Sequence, residues 1–299
     1  MEIILTGSTG FVGKNLINYI AVKNIRLVQR LSLRDDLPDE LPKAEAIIHL
    51  AGKAHDLANT SNSDEYFNVN YGKTKDLFDL FLKSESKDFI YFSSVKAVAD
   101  TVDGILKEDV IAAPKTPYGQ SKLQAEQYLL SKDLPEGRRL FIIRPCMIHG
   151  PGNKGNLNLL YKVVKKGIPY PLGVFGNSRS FLSIDNLLYI LERIIKDPDI
   201  SGGVYNVADD EPLSTNALIK VIAEASHSKG SVWNIPKELV TGLAKIGDKL
   251  HLPLNSERLK KLTESYVVSN EKIKSALGIQ NLPVSSREGL LKTIRSFEN

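Results

Sequence analysis

The stretch Ile3-Ile4-Leu5-Thr6-Gly7-Ser8-Thr9-Gly10-Phe11-Val12-Gly13 decides the fold of this chain. It opens with a short apolar run that is typical of a buried strand. From Phe11 to Val22, apolar residues then recur at the spacing of one helix face. The glycines Gly7, Gly10 and Gly13 permit a tight turn and close packing of helix on strand. The stretch therefore predicts a strand, a glycine turn and a helix as the first unit.

A glycine turn between a strand and a helix can bind the pyrophosphate of a dinucleotide. The first helical turn offers backbone N–H groups and the positive end of the helix dipole. The alternative is a glycine-rich turn without a ligand, which the strand before it and the helix after it disfavour. The predicted cofactor contacts in this turn are Gly7, Ser8, Thr9, Gly10, Phe11, Val12 and Gly13.

Strand-like and helix-like segments alternate through the first half of the chain. Further apolar runs lie at Arg26 to Val28, Ala46 to Leu50, Phe89 to Phe92 and Leu140 to Ile143, with helix-like segments at Val69 to Leu82 and Tyr118 to Leu130. The alternation predicts an α/β fold, a Rossmann-type doubly wound parallel sheet with a smaller C-terminal α/β substrate lobe. We expect the dinucleotide-binding domain in residues 1–150, with 181–206 returning to it. The lobe then comprises 151–180 and 207–299.

Composition excludes several classes of partner. Lys and Arg number 39 against 35 Asp and Glu, and the charges are interspersed, so we expect no nucleic-acid partner. We also predict no metal site. No apolar run approaches the roughly 20 residues that span a bilayer, so we expect no membrane partner. The single cysteine, Cys146, cannot form an internal disulfide, which fits a reducing, cytoplasmic location. Lys237 to Leu250 has a pattern shared by membrane-surface helices, and we interpret it as a packing helix of the lobe.

The end of the second strand bears on the choice of cofactor. An acidic residue there holds the adenosine ribose of NAD, whereas an arginine accommodates the extra phosphate of NADP. The chain has Arg30 at this point, with Arg34 close behind and no acid until Asp35. Arg30 and Arg34 therefore favour NADP over NAD. The alternative is that both are solvated loop residues.

A tyrosine and a lysine stand four residues apart, at Tyr118 and Lys122, after a proline that can start a helix. Residues at that spacing share one helix face, so we expect the ammonium to lower the pKa of the phenol toward the range of a general acid or base. Ser93 and Ser94 end an apolar strand, at the edge where α/β proteins bind ligands. Each motif alone is more often structural than catalytic, but together they predict a site for proton transfer.

These motifs, in this order, resemble those of the extended short-chain dehydrogenase/reductase family. The resemblance rests on Gly7 to Gly13, His49-Leu50-Ala51-Gly52, Asn68-Val69-Asn70, Ser93-Ser94, Tyr118 to Lys122 and Arg144-Pro145. It implies Ser94, Tyr118 and Lys122 as the catalytic residues, with Lys122 also holding the nicotinamide ribose. Ser94 is preferred to Ser93 for its distance from Ala97-Val98-Ala99, where the family often has Val-Tyr-Gly. Further implied cofactor contacts are Leu50, Ala51, Gly52, Asn70 and Pro145.

The lobe resembles the nucleotide-sugar branch of that family. Arg179-Ser180-Phe181 through Asn186 is similar to its Arg-x-Phe-x-x-x-Asp-Asp motif, which implies that Arg179 contacts a diphosphate through its planar guanidinium. Arg258 lies where relatives often have a second arginine that contacts the diphosphate. The alternative is that its charge lies on a solvated helix face. Asn153 to Asn156 are candidates for contact with the sugar or its phosphates. Ser94 is also implied as a substrate contact. We expect a nucleotide-sugar substrate, UDP-linked in our interpretation.

The resemblance implies hydride transfer at C4 of the sugar. An NADP preference favours a 4-keto sugar-nucleotide reductase, and the alternative is an NAD-dependent 4-epimerase. Val95-Lys96 stands where 4,6-dehydratases have an acidic pair, which disfavours elimination. A hypothesis of another class is a non-catalytic nucleotide-binding sensor or scaffold, which the intact Tyr118 and Lys122 disfavour. The resemblance also implies a homodimer formed through Val69 to Leu82 and Tyr118 to Leu130.

Overall fold

The computed structural model describes residues 1–53, 62–153, 155–250 and 255–298. Within these residues, a sheet of six parallel strands lies at the centre, in the order β2-β1-β3-β4-β6-β9. Its strands are β1 (Glu2–Thr6), β2 (Arg26–Leu31), β3 (Ala46–His49), β4 (Asp88–Phe92), β6 (Arg139–Pro145) and β9 (Gly203–Val207). The predicted doubly wound α/β fold is therefore confirmed, with β9 added to the strands expected from the sequence.

Eleven helices surround the sheet or form the lobe beside it, counted over the described residues. They are α1 (Phe11–Ile20), α2 (Ser63–Tyr66), α3 (Lys73–Lys83), α4 (Pro117–Leu130), α5 (Asn156–Lys165), α6 (Ile184–Lys196), α7 (Thr215–Ala225), α8 (Lys237–Leu250), α9 (Ser256–Thr263), α10 (Glu271–Leu277) and α11 (Ser286–Arg295). A π-helical segment (Phe67–Gly72) joins α2 to α3, and a 3₁₀ turn (Val95–Ala97) follows β4. Two parallel strand pairs complete the structure: β5 (Ile105–Leu106) with β10 (Val267–Val268), and β7 (Met147–His149) with β8 (Phe181–Ser183).

The core lies on both faces of the sheet because successive side chains of a strand point to opposite faces. In β1, Ile3 and Leu5 pack with α1 and α6 on one face, and Ile4 packs with α3 and α4 on the other. All three are fully buried. This is why the strand reads as a continuous apolar run rather than an alternating one.

The strand order reverses between β1 and β3, so the connections from these strands leave on opposite sides of the sheet. A crevice opens at such a point beyond the carboxyl ends of the strands. In the six-strand Rossmann order another strand lies outside β2, whereas here β2 is the edge strand. The carboxyl end of β2, which carries Arg30, is therefore open to solvent.

The lobe has apolar clusters of its own, separate from the sheet core. One is formed by α5, α7 and α11, and another by Leu172 with α8 and α9. In contrast, α6 packs on the sheet and β9 pairs with β6. The domain boundaries proposed from the sequence stay a prediction. None of the helices in the described ranges is both long and apolar enough to cross a membrane.

The glycine turn holds α1 unusually close to β1. Gly7 has a φ of 68°, a left-handed conformation that favours glycine, and a Cβ there would lie 2.7 Å from the Ala51 nitrogen. A Cβ at Gly13 would lie 2.3 Å from the Gly7 carbonyl oxygen. The start of α1 can approach the crevice only while both positions lack a side chain.

We therefore predict that Gly13→Ala destabilises the chain by about 1–3 kcal/mol, as overpacking of a tight backbone contact does. Thermal or urea unfolding measures the effect. Gly242→Ala is the matched control, because that helical glycine has open space where its Cβ would be. The control should be neutral or stabilising by up to about 1 kcal/mol. Equal stability of the two variants would contradict the packing argument.

Candidate active site

Two adjoining cavities lie at the carboxyl edge of the sheet. The larger, of about 790 Å³, extends from the glycine turn to the end of β2. The smaller, of about 280 Å³, lies over the ends of β4 and β6. Leu50, Gly52 and Lys53 line both cavities, so the two form one continuous cleft. The cleft lies at the strand-order reversal, where α/β folds bind ligands.

The glycine turn forms one wall of the cleft. Gly7, Ser8, Thr9 and Gly10 line the larger cavity, and Val12 lines the smaller. No side chain caps α1, since Gly10 occupies the capping position. The first N–H groups of α1 are therefore available to an anion. Phe11 and Gly13 line neither cavity: the Phe11 ring lies beside Gly150, and Gly13 packs on Gly7.

Arg30 and Arg34 line the far end of the larger cavity and are both exposed. Neither guanidinium has an ion-pair partner among the described residues. Among the described residues that line this cavity, Glu65 is the one acidic residue, and it forms an ion pair with Lys53 at 2.6 Å. The end of the cleft beside β2 is therefore cationic.

A buried chain of hydrogen bonds supports the floor of the cleft. Thr6 Oγ1 lies 2.7 Å from Nδ1 of His49, and Nε2 of His49 lies 2.9 Å from Thr74 Oγ1. The Thr74 hydroxyl donates to the Asn70 carbonyl, so it accepts from Nε2. The Thr6 oxygen accepts from the N–H of Ala51 and donates to Nδ1. Burial, together with the charge of Lys122, lowers the pKa of His49 to about 3, so the ring stays neutral and holds Ala51 in place.

Asn70 lies beneath the cleft rather than on its wall. It is fully buried, accepts from the Lys53 N–H at 2.8 Å and donates to the Lys53 carbonyl at 3.2 Å. It also donates to the Ser121 hydroxyl at 3.1 Å. Asn70 thus fastens the backbone of Lys53 to α4. It lines neither cavity. Its neighbours in the π-helical segment, Asn68 and Val69, line the larger cavity.

The smaller cavity contains Ser94, Tyr118 and Lys122, which the sequence predicted to lie together. Ser94 hydrogen-bonds to Tyr118. The first turn of α4 packs tightly on the 3₁₀ turn after Ser94, since a Cβ at Gly119 would lie 2.4 Å from the Lys96 carbonyl oxygen. Thr116 caps α4 by accepting from the Gly119 N–H. These backbone contacts hold the tyrosine beside the serine.

The pKa of Tyr118 differs from the expectation. The sequence predicted that Lys122 would lower it, but burial raises the pKa above its usual value of 10, and the Ser94 hydrogen bond only partly opposes this. The phenol is therefore protonated at neutral pH. The discrepancy arises because sequence spacing reports the neighbouring charge and not the loss of water around the phenol.

Lys122 is a buried ammonium group. Only 4% of the residue is exposed, and Nζ donates to the Phe92 carbonyl at 2.8 Å and lies 4.9 Å from the centre of the Tyr91 ring. Burial lowers its pKa to about 8, against an opposing effect of Glu126. A Cβ at Gly52 would lie 3.1 Å from this Nζ, so the lysine reaches the wall shared by the two cavities.

Ser93, which the sequence analysis ranked below Ser94 as the catalytic hydroxyl, has a different contact in the structure. Ser93 donates to the carboxylate of Glu126, which is 1% exposed. Arg144 donates to both oxygens of the same carboxylate, with Nε at 3.0 and 3.1 Å. A buried ion pair of this kind is costly to break from one side. The sequence motifs did not reveal this pair, although Arg144 precedes the quoted Pro145, which lines the smaller cavity.

The structure does not bring the predicted lobe residues into either cavity. Arg179 donates through Nε to the Glu264 carbonyl at 3.1 Å and through a terminal nitrogen to the Lys261 carbonyl, so it holds the end of α9. Arg258 is exposed on α9. Asn153 is half-buried in a turn closed by its N–H on the Gly150 carbonyl. Lys154, in the same predicted segment, lies outside the described residues. No cluster of metal-ligating side chains occurs in the described ranges.

Comparison with known proteins gives a consistent set of similarities. The chain matches the NAD dependent epimerase/dehydratase family over residues 3–208. It is 30% identical to the UDP-glucose 4-epimerase of Vibrio cholerae, over 99% of this chain and 95% of that protein. It is 29% identical to the GDP-6-deoxy-D-mannose reductase of Pseudomonas aeruginosa, over 80% of this chain and 84% of that protein. The structure of RMD from Pseudomonas aeruginosa complexed with NADPH is similar in fold, with a TM-score of 0.74 at 23% identity, covering 99% of this chain and 98% of that one.

The lowered pKa of Lys122 predicts a pH-dependent stability. Between pH 8 and 10 the unfolded chain binds a proton at this residue that the folded chain has lost, so the stability of the wild type rises with pH. Lys122→Met lacks this gain. We expect the wild type to gain about 2 kcal/mol relative to the variant between pH 7 and pH 10. Urea unfolding at both pH values measures the difference, and a difference that does not change with pH would contradict a depressed lysine pKa.

Proposed function

The chain belongs to the NAD dependent epimerase/dehydratase family of enzymes, and on that premise we propose that it reduces the 4-keto group of a nucleotide-linked sugar with NADPH. Membership confirms the family that the sequence motifs indicated. The observation that supports the proposal most directly is that Ser94, Tyr118 and Lys122 line one end of a cleft whose other end carries Arg30 and Arg34.

The cleft fits a dinucleotide. The uncapped start of α1 and the close backbone approach at Gly7 suit a pyrophosphate, because a side chain on Gly7 would collide with Ala51. Arg30 and Arg34 then lie at the adenosine end, where their charges suit the extra phosphate of NADP. Gly52, Lys122 and Pro145 would border the nicotinamide. When bound, the reduced nicotinamide supplies a hydride.

Tyr118 would supply the proton that balances the hydride. Reduction of a ketone at C4 forms one C–H bond and leaves an oxygen that must gain a proton, which a neutral phenol can donate. Ser94 would hold the carbonyl oxygen beside that phenol by a hydrogen bond. Lys122 stays charged below pH 8 and would stabilise the tyrosinate left after proton transfer.

The second candidate is an NAD-dependent 4-epimerase. The relation that favours it is the similarity to the Vibrio cholerae UDP-glucose 4-epimerase, which extends over 99% of this chain. The epimerase reaction begins with oxidation, so Tyr118 would first have to act as a base. Arg30 and Arg34 at the end of the cleft favour the reductase over this candidate, because their charges suit NADP rather than NAD.

A non-catalytic sensor is the least favoured alternative. Burying the Lys122 ammonium lowers its pKa, which costs stability at neutral pH. Perturbed groups of this kind concentrate at active sites, so the buried Lys122 favours an enzyme over a protein that only binds a nucleotide.

For the substrate we propose a UDP-linked sugar, with Asn153, Arg179 and Arg258 as contacts. Arginine has five N–H donors, so the two bonds of Arg179 to the end of α9 leave further donors for a diphosphate. Homodimer formation and a cytoplasmic location stay predictions from the sequence.

The cofactor proposal predicts that the chain binds NADPH at least tenfold more tightly than NADH. Arg30→Ala/Arg34→Ala should remove that preference and leave NADH affinity within about threefold, since charge-assisted hydrogen bonds contribute about 1.5–3 kcal/mol each. Titration of both cofactors into cofactor-free protein measures this. Arg26→Ala is the control, because that arginine lies at the other end of β2 and pairs with Glu2. Tightly retained NAD, with weak NADPH binding, would overturn the proposal in favour of the epimerase.

The reaction itself predicts consumption of NADPH in equal amount to a UDP-linked 4-keto sugar. Tyr118→Phe should bind NADPH normally and lose at least about 10²-fold in turnover, the usual size of acid–base catalysis. Ser94→Ala should also lose turnover. Ser93→Ala should chiefly lose stability, because it leaves the buried Glu126 with one donor fewer. Unchanged turnover in Tyr118→Phe would contradict the mechanism, and interconversion of UDP-glucose and UDP-galactose without net NADPH use would identify an epimerase.

A further inference from the structure

One face of helix α8 is apolar and is not covered by the part of the chain that the structure describes. Leu239, Leu243, Ile246 and Leu250 are 61%, 57%, 50% and 64% exposed. Their spacing of four, three and four residues places them in one stripe along the helix. A stripe of this kind normally packs into a core, yet here it faces solvent.

The same helix has a second apolar stripe that accounts for its packing. Val240, Ala244 and Gly247 are buried, and the first two pack with Leu172 and Leu259. At 100° per residue this stripe lies beside the exposed one, so the apolar surface of α8 is wider than its contact with the lobe. The sequence predicted that α8 is a packing helix, but packing on the lobe accounts for only one of its two apolar stripes.

The surroundings of the exposed stripe are apolar and basic. Of the sixteen large apolar residues exposed within the described ranges, six lie between residues 233 and 262, among them Trp233 and Leu262. Seven Lys and Arg residues stand against four Asp and Glu residues between 229 and 264, so this segment carries +3 of the chain's net charge of +4. Lys245 and Lys249 lie on α8 itself, at one side of the stripe, with Glu238 on the same side at the start of the helix.

We propose that α8 docks the protein on an anionic membrane surface, with the stripe defined by Leu239, Leu243, Ile246 and Leu250 inserted at the headgroup boundary. An apolar face bordered by lysines is the pattern of an interfacial helix, and lysine side chains can extend from such a helix to the phosphates. We favour an anionic membrane over a second copy of the chain as the partner of this stripe. A basic surface is attracted to anionic lipids, whereas two copies of a basic surface repel each other.

The docked surface is connected to the candidate active site. The end of α9, which packs on α8, is held by Arg179. Tyr266, just beyond α9, donates to the carbonyls of Val95 and Ala99, in the segment that follows Ser94. The side of the lobe that borders the catalytic serine therefore belongs to the same packed unit as the docking helix.

Co-sedimentation of the full chain with vesicles tests the proposal. The wild type should sediment with phosphatidylglycerol/phosphatidylethanolamine vesicles and much less with phosphatidylcholine vesicles. Leu243→Gln/Ile246→Gln/Leu250→Gln should weaken binding at least tenfold, and Lys245→Gln/Lys249→Gln should weaken it on the anionic vesicles only. Glutamine keeps helix propensity, and all five positions are exposed, so folding should be retained, as melting temperature and NADPH affinity will show.

Val22→Gln is the matched control, since Val22 is 80% exposed outside the lobe, and it should bind vesicles like the wild type. Absence of wild-type sedimentation, or equal sedimentation of the triple variant, would overturn the proposal. So would a wild-type dimer in light scattering that the triple variant abolishes without any vesicle binding, since a second copy would then cover the stripe. The assay contains no substrate, so its outcome is independent of the proposed reaction.

Discussion

The contact between the start of α1 and the end of β1 is the constraint on which the rest of the site depends. Gly13 lies so close to the Gly7 carbonyl that no side chain fits between them, and Gly7 in turn lies against Ala51. Because three backbone segments meet there, the helix dipole, the end of β3 and the cleft have fixed positions relative to one another. In the proposed function, the pyrophosphate of the cofactor lies at this meeting point.

Around this contact, buried polar groups set the position of the reacting side chains. Asn70 joins the segment after Gly52 to α4, and the Glu126–Arg144 pair lies beneath Ser93. These groups are satisfied by one another, so the cost of burying them is largely offset. Lys122 is the costly exception, since burial lowers its pKa to about 8. A buried charge at the meeting point of two cavities is the kind of destabilising feature that catalysis explains and packing does not.

The helices of the lobe differ in how much of their apolar surface is buried. Its α5, α7 and α11 bury their apolar faces against one another, whereas α8 buries only one of two adjacent apolar stripes. A helix in that state exposes apolar surface in water unless something covers it. In the proposed arrangement a lipid surface does so, and the face of the lobe nearest Ser94 is then oriented relative to the membrane.

The sequence by itself determined the features that depend on residues close together in the chain. The strand–glycine–helix unit, the placement of Tyr118 and Lys122 on one helix and the bounds of α8 follow from local spacing, because backbone geometry fixes those relations. Only the tertiary structure decided that Ser93 meets Glu126, that Asn70 lies beneath the cleft, that β2 is an edge strand and that burial raises the pKa of Tyr118. Each of these depends on contacts between segments distant in sequence and on how much water those segments exclude. Neither can be read from the spacing of residues along the chain.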